Sequence, residues 1–166
     1  AMEWQNQKDI IEPSQMPCTR LANSAIDKVK DNFDLIVLDL LAYGDTDLVC
    51  YRADSPDDLV SLQKRSWDPI LLWASTELQI ELMTTQGVRY RAQGEAQRKK
   101  LFEEISSYDF FFLTAMYDLV TISGSLLIAL AVARRHIAPK DGFNLSFLDE
   151  DWQRKQWGED EESRMN

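Results

Sequence analysis

A chain of 166 residues, 45% hydrophobic and carrying five tryptophans but only six glycines and five prolines, has enough apolar surface for the conventional core of one domain; neither a metal nor a disulfide is required for folding. Its 28 acidic against 18 basic residues give a formal charge of −10, which repels phosphate backbones and anionic headgroups and argues against nucleic acid and membrane surfaces as partners. Cys18 and Cys50 stand far apart with no Cys-x-x-Cys pair, so no zinc or redox centre is written and two reduced, partly buried thiols are expected. The opening Ala1-Met2-Glu3-Trp4 has neither a secretory-signal nor a transit-peptide pattern.

Pro13 and Pro17 bracket Met16, and Leu21, Ala22, Ala25, Ile26 and Val29 then recur at helical spacing, predicting an amphipathic helix to about Lys30. Phe33, Ile36, Val37, Leu40 and Leu41 form a second stripe, with Gly44 as the left-handed residue that ends it. Residues 45–53 lose the period and read as an extended or looped crossing. Ser55-Pro56-Asp57-Asp58 combines an N-cap, a first-turn proline and acids that complement the helix dipole, so a helix begins there. Trp67-Asp68-Pro69 repeats the device, predicting a separate helix capped by Asp68 with Ile70, Trp73, Ala74 and Leu78 on its apolar face. Residues 81–94, with Thr84, Thr85, Val88 and Tyr90, read as a short strand and turn or an irregular excursion, and residues 95–105 as helix.

The run from Phe110 to Ala133 is long enough to cross a bilayer. Asp118 inside it would cost about 2.5–3.5 kcal/mol, and Thr121, Ser123, Gly124 and Ser125 interrupt it, which favours a buried helix, or two helices meeting near Gly124, over an integral membrane protein. Asp109 is placed to cap that segment. Pro139 starts a short helical piece, and the chain closes with an acidic region around Leu148-Asp149-Glu150-Asp151-Trp152 and Trp157 to Glu162. The expected fold is mainly α, a compact multi-helix domain with at most a short β element.

Catalytic machinery is hard to assemble from these residues. His136 is the single histidine and follows two arginines at a helix end, where a cation complements the dipole. No nucleophile elbow and no phosphate-binding loop occurs. Asp149, Glu150, Asp151, Glu159, Asp160, Glu161 and Glu162 could be a solvated tail, a metal site, or a surface that meets basic residues of a protein partner. Trp152 and Trp157 among them favour the last reading, since aromatics rimmed by charge anchor interfaces, although helical tryptophans also pack into their own core. No calcium-loop spacing is present, and no cofactor or metal is expected.

Several short elements come in a fixed order: Glu3-Trp4 with Gln7, Met16-Pro17 with Thr19 and Leu21-Ala22, Asp45-Thr46-Asp47, Cys50-Tyr51-Arg52, Trp67-Asp68-Pro69 with Trp73-Ala74, Leu148 with Glu150 and Gln153, and Trp157-Gly158 with Glu161. Together they resemble the Atp-twelve family, chaperones of the α subunit of the F-type ATP synthase head, over nearly the whole chain. The resemblance implies a non-enzymatic protein that binds the free α subunit and promotes assembly of the α/β hexamer, in the mitochondrial matrix or a bacterial cytoplasm, monomeric when free. It implies that residues 1–166 are a helical C-terminal domain, with the family's β-rich N-terminal domain absent from this chain. It also places the functionally critical tail glutamate of the family at Glu161. Partner contacts are accordingly expected at Glu161, Glu159, Asp160, Glu162, Trp157, Glu150 and Trp152. The rival readings are an acidic adaptor of another pathway and a carboxylate-based, metal-dependent hydrolase; the latter requires a cleft where acids converge.

Overall fold

The computed structural model describes residues 2–8, 10–87 and 89–157. Its helices are α1 (Met2–Gln5), α2 (Pro17–Ser24), α3 (Phe33–Asp45), α4 (Asp57–Glu77), α5 (Glu95–Ser106), α6 (Phe110–Ser123), α7 (Leu126–Ala133), α8 (Pro139–Ser146) and α9 (Leu148–Trp157). Two short strands, β1 (Tyr51–Arg52) and β2 (Thr85–Gln86), pair in parallel, Tyr51 opposite Thr85 and Arg52 opposite Gln86. The fold is therefore mainly α with a minimal β element, as the periodicities predict.

The apolar run forms the centre. Every residue from Leu126 to Ala131 is buried, the mark of a helix enclosed on all sides, and α3, α4, α6 and α8 pack around α7. Helix α5 lies on α3, α9 lies against α4 and α8, and α2 against α6. Leu40, Trp67, Leu101, Ile105, Leu113 and Met116 fill the spaces between them, each burial contributing about 1.5–3 kcal/mol. The predicted break is real: Asp109 caps α6 by accepting from the Phe112 N–H at 2.8 Å, and Gly124 ends it at φ +67°. The Ser125 hydroxyl then caps α7 by accepting from the Ile128 N–H at 3.0 Å. Among the described residues no helix is long and apolar enough to cross a membrane.

Four expectations are corrected. Helix α3 ends one residue after Gly44, at Asp45, but Gly44 does not take the left-handed conformation expected of it. It lies inside α3 at the crossing with α5, where a Cβ would stand 2.8 Å from Leu101 Cδ1 and 3.2 Å from Leu126 Cδ2. Asp68 is not a cap either, because α4 runs unbroken through Pro69 from Asp57 to Glu77. The carbonyl that the proline ring leaves without a donor belongs to Arg65; both residues are exposed, so water can satisfy it. Helix α4 begins after an extended Pro56 rather than a Ser55 cap. Of the two thiols, Cys50 is buried but Cys18 is exposed, and both are free.

The helix expected to reach Lys30 does so with changing pitch, widening over Ala25–Val29 and tightening over Lys30–Asn32. The irregular excursion is pinned by side chains: the buried Gln93 amide accepts from the Met83 N–H at 2.7 Å and donates to its carbonyl at 3.0 Å.

Candidate partner-binding surface

Helix α9 carries the described part of the acidic region, and its consecutive acids point in different directions because each residue turns about 100° around the axis. Asp149 faces inward and accepts two bonds from the Gln63 amide, at 2.8 and 3.0 Å. Gln63 is itself buried, and its oxygen accepts the Ala53 N–H at 2.8 Å. Glu150 is exposed. Asp151 pairs with Arg154 one turn on, at 3.1 Å. All three acids sit in the first turn of α9, where they complement the helix dipole.

Trp152 is half-buried against the core, and its indole N–H donates to Asp58 of α4 at 3.1 Å. It thus fastens α9 to the body and offers a partner only part of its surface. Trp157 is the last residue of α9. Glu159, Asp160, Glu161 and Glu162 lie outside the described residues. Of the predicted contact residues, α9 therefore carries Glu150, Trp152 and Trp157 on one element.

The short sequence elements that looked independent converge. Arg52 is held by three contacts: its Nε donates to the Val49 carbonyl at 2.8 Å, its Nη2 lies 2.9 Å from the Asp68 carboxylate, and its guanidinium sits 5.4 Å from the Trp67 ring centroid. The Arg52–Asp68 contact is close in distance but poorly angled, so it is a charge pair and Nη2 makes no hydrogen bond. Trp67, fully buried, donates its indole N–H to the Leu145 carbonyl at 2.9 Å, joining α4 to α8. The tyrosine-arginine and tryptophan-aspartate-proline elements are thus two halves of one joint, which spacing along the chain does not disclose.

Two more elements act through buried or reaching carboxylates. Glu3 accepts from the backbone N–H groups of Cys18 and Thr19, at 2.7 and 2.8 Å, and from the Thr19 hydroxyl at 2.7 Å, capping α2 from a distance. Asp47, completely buried, accepts from the Ser125 hydroxyl at 2.6 Å and from the N–H groups of Leu127 and Val49 at 2.9 and 3.1 Å. Burial pushes its carboxyl up to about 6, the hydrogen bonds acting against that rise. His136 stacks on Trp73 with ring centroids 4.9 Å apart, a packing role. Among the described residues no three His, Cys, Asp or Glu side chains converge as metal ligands would.

An apolar recess of about 200 Å³ opens between α6, α7 and α8, lined by Leu119, Ile128 and Val132 and flanked by the exposed Ile122 and Phe143. Sequence periodicity gives no sign of it, since its walls come from three helices.

A family profile described as ATP12 chaperone protein matches residues 1–75. The crystal structure of Atp12 from Paracoccus denitrificans is 47% identical, with a TM-score of 0.95 over 99% of this chain and 71% of that one. The chain belongs to the ATP12 chaperone family. A D202K mutant of the P. denitrificans protein, 46% identical, superposes equally well, with a TM-score of 0.95 over 99% of this chain and 70% of that one. A putative chaperone from Agrobacterium tumefaciens, Atu1473, is 35% identical, with a TM-score of 0.91 over 98% of this chain and 61% of that one. The ATP12 resemblance read from ordered motifs is thus borne out, and a chaperone's partner is a protein.

Proposed function

We propose that this chain holds the unassembled α subunit of the F-type ATP synthase and promotes its entry into the α/β hexamer, without making or breaking bonds itself. The observation that carries this reading is membership of the ATP12 chaperone family over almost the whole chain. The surface agrees with the role: an acidic, tryptophan-bearing helix α9 and an apolar recess with exposed Ile122 and Phe143 offer partial complementarity to a subunit whose own interfaces are still uncovered. The proposed contact residues are Glu150, Trp152 and Trp157, followed by Glu159, Asp160, Glu161 and Glu162, with a further β-rich domain contributing in the complete chaperone. The site of action would be the mitochondrial matrix or the bacterial cytoplasm.

Co-expression with α and β subunits tests the proposal. The chain should be recovered with α and not with β, and Glu161→Lys should reduce α recovery while leaving the circular dichroism spectrum unchanged. Recovery with neither subunit, when the complete chaperone is used, overturns the assignment. Equal recovery of wild type and Glu161→Lys removes the acidic tail from it.

A further inference from the structure

On a chain with a net charge of −10, one pocket gathers three cations around a single acid. A cavity of about 500 Å³ lies between α4 and the β2 segment, walled by Arg52, Lys64 and Arg91 with Asp68 as its single acid. The Arg52 guanidinium is fixed in place by Val49, Trp67 and Asp68, with Nη2 buried beside the Asp68 carboxylate, and the residue forms part of the cavity wall. Lys64 and Arg91 are exposed at the rim, and neither enters an ion pair with a described residue. Three cations against one anion leave the pocket at about +2. Cations gathered without counter-charges repel one another, a cost that an incoming anion relieves.

The lining identifies the anion. Thr84, Thr85 and Gln86 add hydroxyl and amide donors, while Ala53 and Val60 present small apolar surface suited to an aliphatic stem. Among the described residues no aromatic ring lines the cavity to stack a nucleobase, and Asp68 on its wall opposes the dense charge of a polyphosphate. A carboxylate on a short apolar stem satisfies each condition. We propose that this pocket is a carboxylate-binding site that takes an aspartate or glutamate side chain of the polypeptide the chaperone holds, with Arg52 as the preset anchor and Lys64 and Arg91 closing on the charge. The identity of that polypeptide rests on the reading above; the chemistry of the pocket does not. On an acidic protein such a basic socket gives orientation: it accepts an acid of the client where the net charge of the chain disfavours acids, which helps fix the register of docking.

The test uses the isolated chain, titrated with a blocked hexaglutamate peptide, a blocked hexaglutamine peptide and inorganic phosphate, read from backbone amide shifts. Hexaglutamate should move the amides of Ala53, Thr84, Thr85 and Gln86 in a saturable way, and the effect should weaken as salt rises. Hexaglutamine should leave them in place. In the Lys64→Ala/Arg91→Ala double variant, affinity should fall by about tenfold or more, the loss expected for two charge-assisted contacts. Both residues are exposed and outside the core, so the variant should keep the wild-type thermal midpoint. Equal responses to the two peptides, or an unchanged double variant, would overturn the proposal. So would a response to phosphate stronger than to hexaglutamate, which would make this a phosphate site. None of these outcomes involves the α subunit, so failure here and failure of the α-subunit assignment are separately visible.

Discussion

Asp47 couples the loop before β1 to the turn between α6 and α7, and its titration gives a measurable consequence. The carboxyl stands at about 6 in the folded protein against an ordinary 3.8, because burial penalises the ionised form by more than its hydrogen bonds favour it. A raised acid binds its proton more tightly when folded, so its contribution to stability is complete below pH 3.8 and is lost as pH rises through 6. Between pH 7.5 and pH 5 the folded carboxyl becomes mostly protonated while the unfolded one stays mostly ionised. Linkage between those two values gives about 1.4 kcal/mol of added stability at pH 5 from this one group.

Asp47→Asn removes the titration. Its amide nitrogen must also face the N–H or hydroxyl donors that now meet carboxylate oxygens, at a cost of about 1–3 kcal/mol at every pH. Urea unfolding of wild type and variant at both pH values separates the two effects, since other titrating groups shift both proteins alike. The wild type should gain about 1.4 kcal/mol more than the variant on moving from pH 7.5 to pH 5. Parallel stability changes in the two proteins would show that the hydrogen bonds outweigh burial and that Asp47 is not raised.

Gly44→Val should destabilise by about 1–3 kcal/mol, because the α3–α5 crossing leaves no room beside Leu101, and urea midpoints will report it. Gly124→Ala places a Cβ at φ +67° and should lower stability by about 1–2 kcal/mol by the same measurement, although the space around it is open. Trp67→Phe keeps most of the buried ring but leaves the Leu145 carbonyl without its donor and weakens the seat of Arg52. A loss of about 1–3 kcal/mol is expected in thermal or urea unfolding.

Local chemistry was legible wherever a signal and its consequence lie within one turn. Asp109 caps the helix it precedes, Gly124 breaks the apolar run, and residues 81–94 leave the helical pattern as their composition says. Two of the misreadings share one cause. Gly44 and Asp68-Pro69 carry helix-end signals, but each is used by something distant in sequence: Gly44 by Leu101 and Leu126 across a helix crossing, Asp68 by the guanidinium of Arg52. A glycine required for close approach and a glycine required for positive φ look the same in a sequence. The cationic pocket was hidden for the same reason, since Arg52, Lys64 and Arg91 come from three separate segments and the net charge of the chain masks their sum.

The acidic region shows how far a linear charge run is from a surface patch. Asp149, Glu150 and Asp151 are consecutive, yet one bonds to a buried amide, one faces solvent and one pairs along its own helix. Only Glu150 is free to serve a partner without dismantling a contact, and Trp152 can do so only with the face that Asp58 and the core leave uncovered. Asp149→Ala should therefore act through stability, by leaving the buried Gln63 amide without its acceptor, whereas Glu150→Ala should leave the fold intact and act, if at all, on the partner. Membership in one acidic cluster is thus no guide to role: the inward neighbour holds α9 at the angle from which its outward neighbour can be presented.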